Sequence, residues 1–180
     1  MGTAMRLTFA ALSLFAGCFT ADAKMLAKSA TGFVVEHKLE LKTDAKTAYE
    51  AFIKIGSWWN SSHSFSGDAK NITIDTKPGG CWCETLPNGG FVKHMDVVNV
   101  MPGVMLVFSG GLGPLQFMGV AGSMSVNFAT DAKTKLTTIT LRYDVGGRDD
   151  KNFEDISKGV DAVLKEQVDR YANFVATGKP

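Results

Sequence analysis

The residues best suited to chemistry lie close together near the middle of the chain. Cys81, Cys83 and Glu84 occupy one predicted strand. His94 lies in the next strand, beyond an Asn-Gly turn that is a strong hairpin signal. Counting outward from this turn places Glu84 near Lys93 or His94, within cross-strand reach. A carboxylate beside the imidazole would form an acid–base pair, but we favour an ordinary ion pair between Glu84 and Lys93.

The alternation of the strand that contains His94 does not show which of its faces is buried. Over residues 91–100 each parity carries three apolar side chains, and a β-bulge would reconcile the two patterns. If His94 faces an interior cavity, it can exchange a proton with a ligand or hydrogen-bond a ligand carbonyl. We favour a structural or surface role for it.

Cys81 and Cys83 invite a disulfide or a metal interpretation, and we favour neither. Residues i and i+2 of a regular strand are about 6.6 Å apart, whereas a disulfide joins Cβ atoms about 3.8 Å apart. We therefore expect two free thiols packed as small hydrophobes. Zinc prefers a wider Cys spacing and four ligands, and no fourth ligand accompanies these cysteines and His94. We predict no metal site and no cofactor.

The elements that position these residues follow from hydrophobic periodicity. Alternation over 33–41 indicates a strand with one buried face, on which His37 is predicted to be a hydrogen-bonded core residue. A helix is predicted over 44–55, ended by Gly56. Residues 57–62 then form a second short helix or an ordered loop.

Turn residues divide the segment 71–145 into six further strands, of which the fifth is predicted over 117–128. The strongest helical pattern begins near residue 150 and runs almost to the C-terminus. Its apolar residues recur at steps of three, four and one, which is typical of one buried stripe: Phe153, Ile156, Val160, Val163, Leu164, Val168, Tyr171, Phe174 and Val175.

These elements predict an α+β fold in which a curved, seven-stranded antiparallel sheet wraps around the long C-terminal helix, with a short helical pair after the first strand. The sheet has one apolar face, which the helix must cover. Bulky inner side chains hold the two layers apart at one end, so we expect a cavity. The predicted ligand-binding residues are Trp58, Trp59, Cys81, Cys83, His94, Met105, Met118, Met124, Tyr143, Val160 and Leu164.

Two further interpretations concern the segment around the tryptophans. Trp58 and Trp59 either gate the mouth of the cavity or plug the end of the sheet, since large rings bury area at small entropic cost. His63 is predicted to be a loop residue rather than a ligand.

The order of strand, helix pair, six strands and long helix resembles the helix-grip fold of the START and SRPBCC superfamily. Several segments resemble exported bacterial members: Ile55-Gly56-Ser57-Trp58-Trp59, Ser64-Phe65-Ser66-Gly67, Pro78-Gly79-Gly80-Cys81-Trp82-Cys83-Glu84, Val92-Lys93-His94-Met95 and residues 110–119. The resemblance points to the polyketide cyclase/dehydrase-like or heat-shock-ATPase-activator-like branch. It implies a hydrophobic-ligand cavity but no particular activity, because the superfamily contains both carriers and enzymes.

The first residues predict export. Arg6 precedes an uncharged apolar run from Leu7 to Phe19, and Ala21 and Ala23 are the small residues that signal peptidase reads. The run is shorter than the roughly 18 to 20 apolar residues of a membrane span. The alternative is cleavage before Cys18, in a lipobox-like Phe-Ala-Gly-Cys segment, which would leave a lipid anchor.

The predicted organisation is therefore a signal peptide over 1–23, an N-terminal extension over 24–32 and one SRPBCC/START-like domain over 33–180. The location is periplasmic or secreted, and no transmembrane segment is expected. We expect a monomer or a weak dimer.

The charges exclude nucleic acid as a partner, since 19 Lys and Arg balance 18 Asp and Glu and no basic cluster occurs. We predict an exported binding or carrier protein for a small hydrophobic or lipid-like molecule. One alternative is a cyclase/aromatase- or hydrolase-type enzyme with His94 and Glu84 as its acid–base pair. The other is a protein-interaction module.

Overall fold

The computed structural model describes residues 22–148, 150 and 152–180. The predicted signal segment up to residue 21, including Cys18, lies outside the described residues. The strands are β1 (Asp22–Ser29), β2 (Gly32–Leu41), β3 (Ile72–Ile74), β4 (Cys81–Thr85), β5 (Phe91–Met101), β6 (Met105–Ser109), β7 (Ala121–Thr130) and β8 (Thr137–Gly146). The helices are α1 (Ala45–Phe52) and α2 (Phe153–Thr177).

The strands form one antiparallel sheet in the order β1-β2-β8-β7-β6-β5-β4-β3. The predicted α+β architecture, with a curved antiparallel sheet and a C-terminal helix, is confirmed. At the β4–β5 hairpin, Asn88 and Gly89 adopt φ values of 64° and 82°, as an Asn-Gly turn requires.

The prediction of seven strands is wrong, because the sheet has eight among the described residues. The additional strand is β1, which pairs along β2 from Asp22↔Lys38 to Ser29↔Gly32. None of its residues is fully buried, so its sequence carries no clear alternation. Its position depends on ladder hydrogen bonds to an otherwise open edge of the sheet, which periodicity does not reveal.

The segment after β2 contains a shorter helix than predicted. α1 ends at Phe52, and two 3-10 turns follow at Ile55–Ser57 and Ser61–His63 in place of a second helix. The indole Nε1 of Trp58 lies 3.2 Å from the carbonyl oxygens of both Ala51 and Phe52. Because the indole satisfies carbonyl groups at the helix end, the chain can turn there and bury Trp58 under α2.

α2 covers the inner face of the sheet, and its two halves differ in burial. Towards its C-terminus, Leu164, Val168 and Tyr171 are buried in the core. Towards its N-terminus, Phe153 is also buried and packs on the sheet, whereas Ile156 and Val160 are only half-buried, although they belong to the same apolar stripe. A gap therefore remains beside Ile156 and Val160.

The segment before β7 was predicted to be part of that strand, which is wrong. Gly113–Phe117 forms a 3-10 turn, and β7 begins only at Ala121. Met124, Val126 and Phe128 face the core as the alternation predicts. Met118 lies in the loop instead, beside the gap between sheet and helix.

Candidate functional site

A cavity of about 490 Å³ fills the gap beneath the N-terminal half of α2. The cavity expected from the sequence is thus present, and most of its lining is apolar. Its floor is made of fully buried side chains from the sheet, the 113–117 turn and α2: Ile72, Trp82, His94, Leu115, Tyr143 and Leu164.

The mouth of the cavity lies between residues 62–65, residues 112–118 and the first turns of α2. Phe65 and Phe117 are 45% and 75% exposed, and their rings meet edge to face with centroids 6.2 Å apart. An exposed aromatic pair thus stands at the edge of an apolar cavity.

His94 and Glu84 form a buried pair against this cavity. The two residues are 5% and 1% exposed, and His94 Nε2 lies 3.0 Å from Glu84 Oε2. The predicted ion pair between Glu84 and Lys93 is wrong, because the Lys93 ammonium instead contacts Asp96 at 2.9 Å on the exposed side. The less favoured acid–base pairing is the one that the structure contains.

A β-bulge produces this arrangement. Trp82 pairs with Met95 and Cys83 with Lys93, so His94 is the extra residue of β5. At a bulge the alternation of side chains is interrupted, which allows the neighbours His94 and Met95 both to be buried. The bulge explains why both alternating sets of residues in this strand contain equal numbers of apolar side chains.

Glu84 also connects the mouth of the cavity to its floor through hydrogen bonds. Its carboxylate accepts hydrogen bonds from the backbone N–H groups of Phe65 and Ser66 as well as from His94. Burial alone would raise the pKa of Glu84, but the hydrogen bonds from Ser66, Phe65 and His94 outweigh it and hold the pKa below its ordinary value. Glu84 is therefore a buried carboxylate anion.

The protonation state of His94 follows from its partner. Burial lowers the pKa of His94 against the opposing effect of Glu84, so the imidazole is neutral near pH 7. Because an ionised carboxylate only accepts hydrogen bonds, Nε2 carries the proton and Nδ1 is left with a lone pair. Nδ1 is buried without a hydrogen-bond partner among the described residues, and the ring of Phe65 packs 5.8 Å from the imidazole.

Tyr143 has a structural role at the cavity wall. Its hydroxyl donates to the Gly110 carbonyl at 3.0 Å and accepts from the Leu112 N–H at 2.9 Å. Burial raises the pKa of Tyr143 to about 12, so the phenol remains protonated. The side chain anchors the loop that leads into the mouth.

The two tryptophans are held by α2. The indole of Trp59 lines the cavity, whereas Trp58 lies deeper in the core. The Arg170 side chain donates to the Trp58 carbonyl at 2.9 Å. His63 belongs to a 3-10 turn at the mouth, and its Nε2 lies 3.0 Å from the Glu166 carboxylate. The segment 58–63 is thereby fixed against the helix.

The predicted ligand-binding residues divide into two groups. Those that line the cavity are Trp59, His94, Met118, Tyr143, Val160 and Leu164. Those outside its lining are Trp58, Cys81, Cys83, Met105 and Met124. Met124 is packed in the core and the cysteines lie on the opposite face of β4 from Trp82. The binding roles themselves remain predictions.

The prediction of two free thiols is wrong, because Cys81 and Cys83 form a disulfide. Their Cα atoms are 5.4 Å apart, closer than the roughly 6.6 Å of residues i and i+2 in a regular strand. The register of β4 against β5 shifts between Trp82 and Cys83, so the ladder is not regular at this point. Within the described part of the chain, no three His, Cys, Asp or Glu side chains gather closely enough to hold a metal ion.

Sequence reasoning missed several lining residues. Ile72 could have been found, because it alternates with the polar Thr73, whereas Trp82 shares its face of β4 with Glu84 and no alternation marks it as buried. Phe65, Leu112 and Leu115 could not, because they lie in turns whose path is set by Tyr143 and Glu84 rather than by any local period.

His37 is the second buried histidine, and it lies away from the cavity. It is fully buried as predicted, its Nε2 lies 3.1 Å from Asp161 Oδ1, and its Nδ1 has no hydrogen-bond partner among the described residues. Burial lowers the pKa of His37, although Asp161 opposes this shift.

The buried histidines predict a loss of stability in acid. The pKa values of His37 and His94 lie below 6.5 in the folded state, so the unfolded chain binds more protons as the pH falls past this value. We expect the free energy of unfolding to fall below about pH 6.5, by at most about 1.4 kcal/mol per pH unit for each histidine. Urea unfolding at a series of pH values checks this. His37→Leu should reduce the slope, and an unchanged free energy in mild acid would contradict the prediction.

Comparison with known proteins gives structural matches only. No protein-family model matches this chain, and no curated protein matches it. CalU16 from Micromonospora echinospora is 11% identical with a TM-score of 0.56, over 89% of this chain and 88% of its own. EF2215 from Enterococcus faecalis, a conserved protein of unknown function, is 11% identical with a TM-score of 0.58, over 88% of this chain and 79% of its own.

A third match is DynU16, a protein of the dynemicin biosynthetic locus, which is 18% identical with a TM-score of 0.55. The similarity covers 82% of this chain but only 48% of DynU16. At such identities the likeness shows the fold alone. The chain has the helix-grip-like fold. Neither helix of the described residues is long and apolar enough to cross a bilayer.

Proposed function

We propose that this protein is an exported carrier that binds one small, neutral, apolar molecule in the cavity beneath α2. The observation that carries the proposal is the cavity of about 490 Å³ between the sheet and the helix, with its apolar walls and buried floor. Its volume lies within the range of about 300 to 1,000 Å³ that is typical of small-molecule sites.

The charges around the cavity favour a neutral ligand. The lining residues that the structure describes include no Lys or Arg. Glu84 is a carboxylate anion behind His94, and Asp155 lies at the mouth. Bringing a carboxylate or phosphate into this cavity would require desolvation without a compensating cation. A fatty acid or a phosphorylated lipid is therefore a poor candidate.

Export belongs to the proposal, with signal peptidase cleavage after Ala23 and lipid attachment at Cys18 as the alternative. Its support is the arrangement of Arg6, the apolar run 7–19 and the small residues that follow. The disulfide supports it further, since such bonds persist mainly in oxidising compartments. N-terminal sequencing of the mature protein, recovered from the periplasm or medium, tests both forms of processing.

Filling the cavity should weaken binding strongly. The half-buried Val160 projects from α2 into the cavity, and Val160→Trp adds an indole to that space. We expect the Kd for 1-aminoanthracene, a neutral aromatic probe, to rise at least about tenfold, which corresponds to about 1.4 kcal/mol. The fluorescence gain of the probe on titration with protein gives the Kd.

Ala162→Trp is the matched control, because Ala162 lies on the exposed side of the same helix. This variant should bind 1-aminoanthracene with an unchanged Kd. If the wild-type protein fails to bind the probe, or if both tryptophan variants bind it equally well, the cavity is not the binding site.

A second candidate function is acid–base catalysis of the hydrolase or cyclase type. It is favoured by the buried pair of Glu84 and His94, in which an ionised carboxylate orients a neutral imidazole at the cavity wall. The free lone pair on Nδ1 could remove a proton from a bound hydroxyl or water. Phe65, which packs against the imidazole, would have to move for a substrate to reach it.

The hydrolase form of this candidate is tested with 1-naphthyl acetate, an apolar ester. A catalyst should release 1-naphthol faster than buffer does, and His94→Gln should return the rate to background while 1-aminoanthracene still binds. Release at the background rate by the wild-type protein would exclude it.

A further inference from the structure

We propose that the Cys81–Cys83 disulfide is a redox-controlled positioning element of the cavity. It holds the bulge that aims Trp82 and His94 at the ligand, so its reduction weakens ligand binding. This inference rests on the proposed binding function and adds a means by which the same site is regulated.

The disulfide and the β-bulge lie at the same point of the β4–β5 pair. The register of β4 against β5 shifts between Trp82 and Cys83, inside the small ring that the disulfide closes. The bridge holds the two Cα atoms at 5.4 Å, about 1 Å less than a regular strand would place them. Without the bridge, this part of β4 is free to extend towards regular strand geometry.

The distorted part of β4 carries Trp82, whose ring is packed at the cavity floor. Trp82, enclosed between the two cysteines, is 1% exposed and lies on the cavity floor. Its ring packs edge to face on Trp59 and Phe108 at centroid distances of 5.2 Å and 5.7 Å. An extension of β4 at this point displaces a residue that contacts two other large rings.

Glu84 and His94 lie next to the point where the register shifts. Glu84 follows Cys83 directly and carries the hydrogen bonds to His94, Phe65 and Ser66. His94 is the extra, unpaired residue that forms the bulge in β5. Regular pairing would turn either His94 or Met95 away from the interior, because neighbouring residues of a regular strand face opposite sides.

The bridge can be reached without entering the cavity. Cys81 and Cys83 are half-buried and lie on the face of β4 opposite Trp82 and Glu84. β4 lies next to the edge of the sheet, where its outer neighbour is the three-residue strand β3. A reductant therefore approaches from the outer face, while the ligand occupies the inner one.

The chemistry is thiol–disulfide exchange with an external dithiol. One thiolate of the dithiol attacks a sulfur of the bridge and forms a mixed disulfide, and its second thiolate resolves this intermediate. Two electrons and two protons pass to Cys81 and Cys83, which become thiols, and the dithiol becomes a disulfide. The reverse reaction restores the site.

Ligand binding and reduction must then be linked. If reduction weakens the affinity for a ligand by some factor, the ligand makes the bridge harder to reduce by the same factor. Measuring both quantities provides two independent estimates of one coupling.

The experiment compares the oxidised protein, the protein treated with dithiothreitol, and Cys81→Ser/Cys83→Ser. Mass spectrometry of alkylated samples establishes the state of the bridge. We expect the Kd for 1-aminoanthracene to rise roughly tenfold in the reduced protein and in the double variant. Dithiothreitol should not alter the Kd of the double variant, which controls for other effects of the reductant.

A second readout does not depend on any ligand. The ring nitrogen NMR signals of His94 report its tautomer and its hydrogen bond to Glu84, and they should shift on reduction, whereas those of His37 should not. If the probe binds equally well to both forms and the His94 signals stay in place, the inference is overturned and the binding function stands. If the oxidised protein does not bind the probe while its His94 signals still respond, the binding function fails and the positioning role survives.

Discussion

Glu84→Gln is expected to lower the free energy of unfolding by about 3 kcal/mol, since a hydrogen bond to a charged group contributes about 1.5 to 3 kcal/mol and a buried donor left without an acceptor costs about 1 to 3 kcal/mol. The carboxylate of Glu84 is 1% exposed and accepts hydrogen bonds from three donors. The amide of glutamine has one oxygen, and its NH₂ group would face one of these N–H groups. At least one buried donor is left without an acceptor.

The same substitution should loosen the site. Without the carboxylate, His94 loses the partner that fixes its Nε2 proton, and the backbone of Phe65 loses its tie to the cavity floor. We therefore expect weaker binding of 1-aminoanthracene together with the loss of stability. Urea unfolding measures the free energy, and probe titration well below the melting temperature measures the binding.

Asp96→Asn is the matched control for Glu84→Gln. Asp96 also lies at the β4–β5 hairpin and pairs with Lys93, but both side chains are about half exposed. Exposed ion pairs contribute about 0 to 1 kcal/mol, so this variant should unfold much like the wild type. Equal losses in the two variants would show that Glu84 is not the anchor.

The contrast between these two carboxylates shows why the site was only partly predictable. Counting from the Asn-Gly turn correctly brought Glu84 within reach of His94, although the register pairs Glu84 with Val92 and Lys93 with Cys83. A regular ladder gives no reason to choose the histidine. The bulge decides the matter, because a shift of one residue exchanges the faces of all side chains beyond it.

The disulfide was missed for the same reason. The distance argument against a Cys81–Cys83 bridge holds for a regular strand, and the strand is irregular at that point. Bulges arise from the pairing of two strands, so neither strand shows one by itself. By contrast, the apolar stripe of α2 and the general fold could be predicted, because each follows from the spacing of apolar residues within single segments.

The cavity itself followed from the mismatch between a wide sheet and one helix, but its walls did not. Leu115 and Phe65 lie in turns held by hydrogen bonds to Tyr143 and Glu84, which are distant in sequence. No local sequence pattern indicates such long-range hydrogen bonds. The loop at residues 110–118 depends on them in particular, and its position also depends on a close contact with β7.

That contact predicts a large effect for Gly122→Ala. A Cβ atom at Gly122 would lie 2.3 Å from the carbonyl oxygen of Gly110 and 2.8 Å from the hydroxyl oxygen of Tyr143. Both atoms take part in the hydrogen bonds that hold the loop. Since backbone atoms cannot yield without moving the ladder, we expect a loss of about 3 kcal/mol in the free energy of unfolding, at the upper end for overpacking.

Gly159→Ala is the matched control, because Gly159 also lies at the cavity, but a Cβ atom there would meet no atom within 4 Å beyond the backbone of its own helix. Alanine in a helix interior is favoured over glycine by about 1 kcal/mol, so this variant should be more stable than the wild type. In Gly122→Ala, displacement of the loop should also weaken 1-aminoanthracene binding, because Leu112 and Leu115 line the cavity. A Gly122→Ala protein with wild-type stability and affinity would show that the loop is not held by this contact.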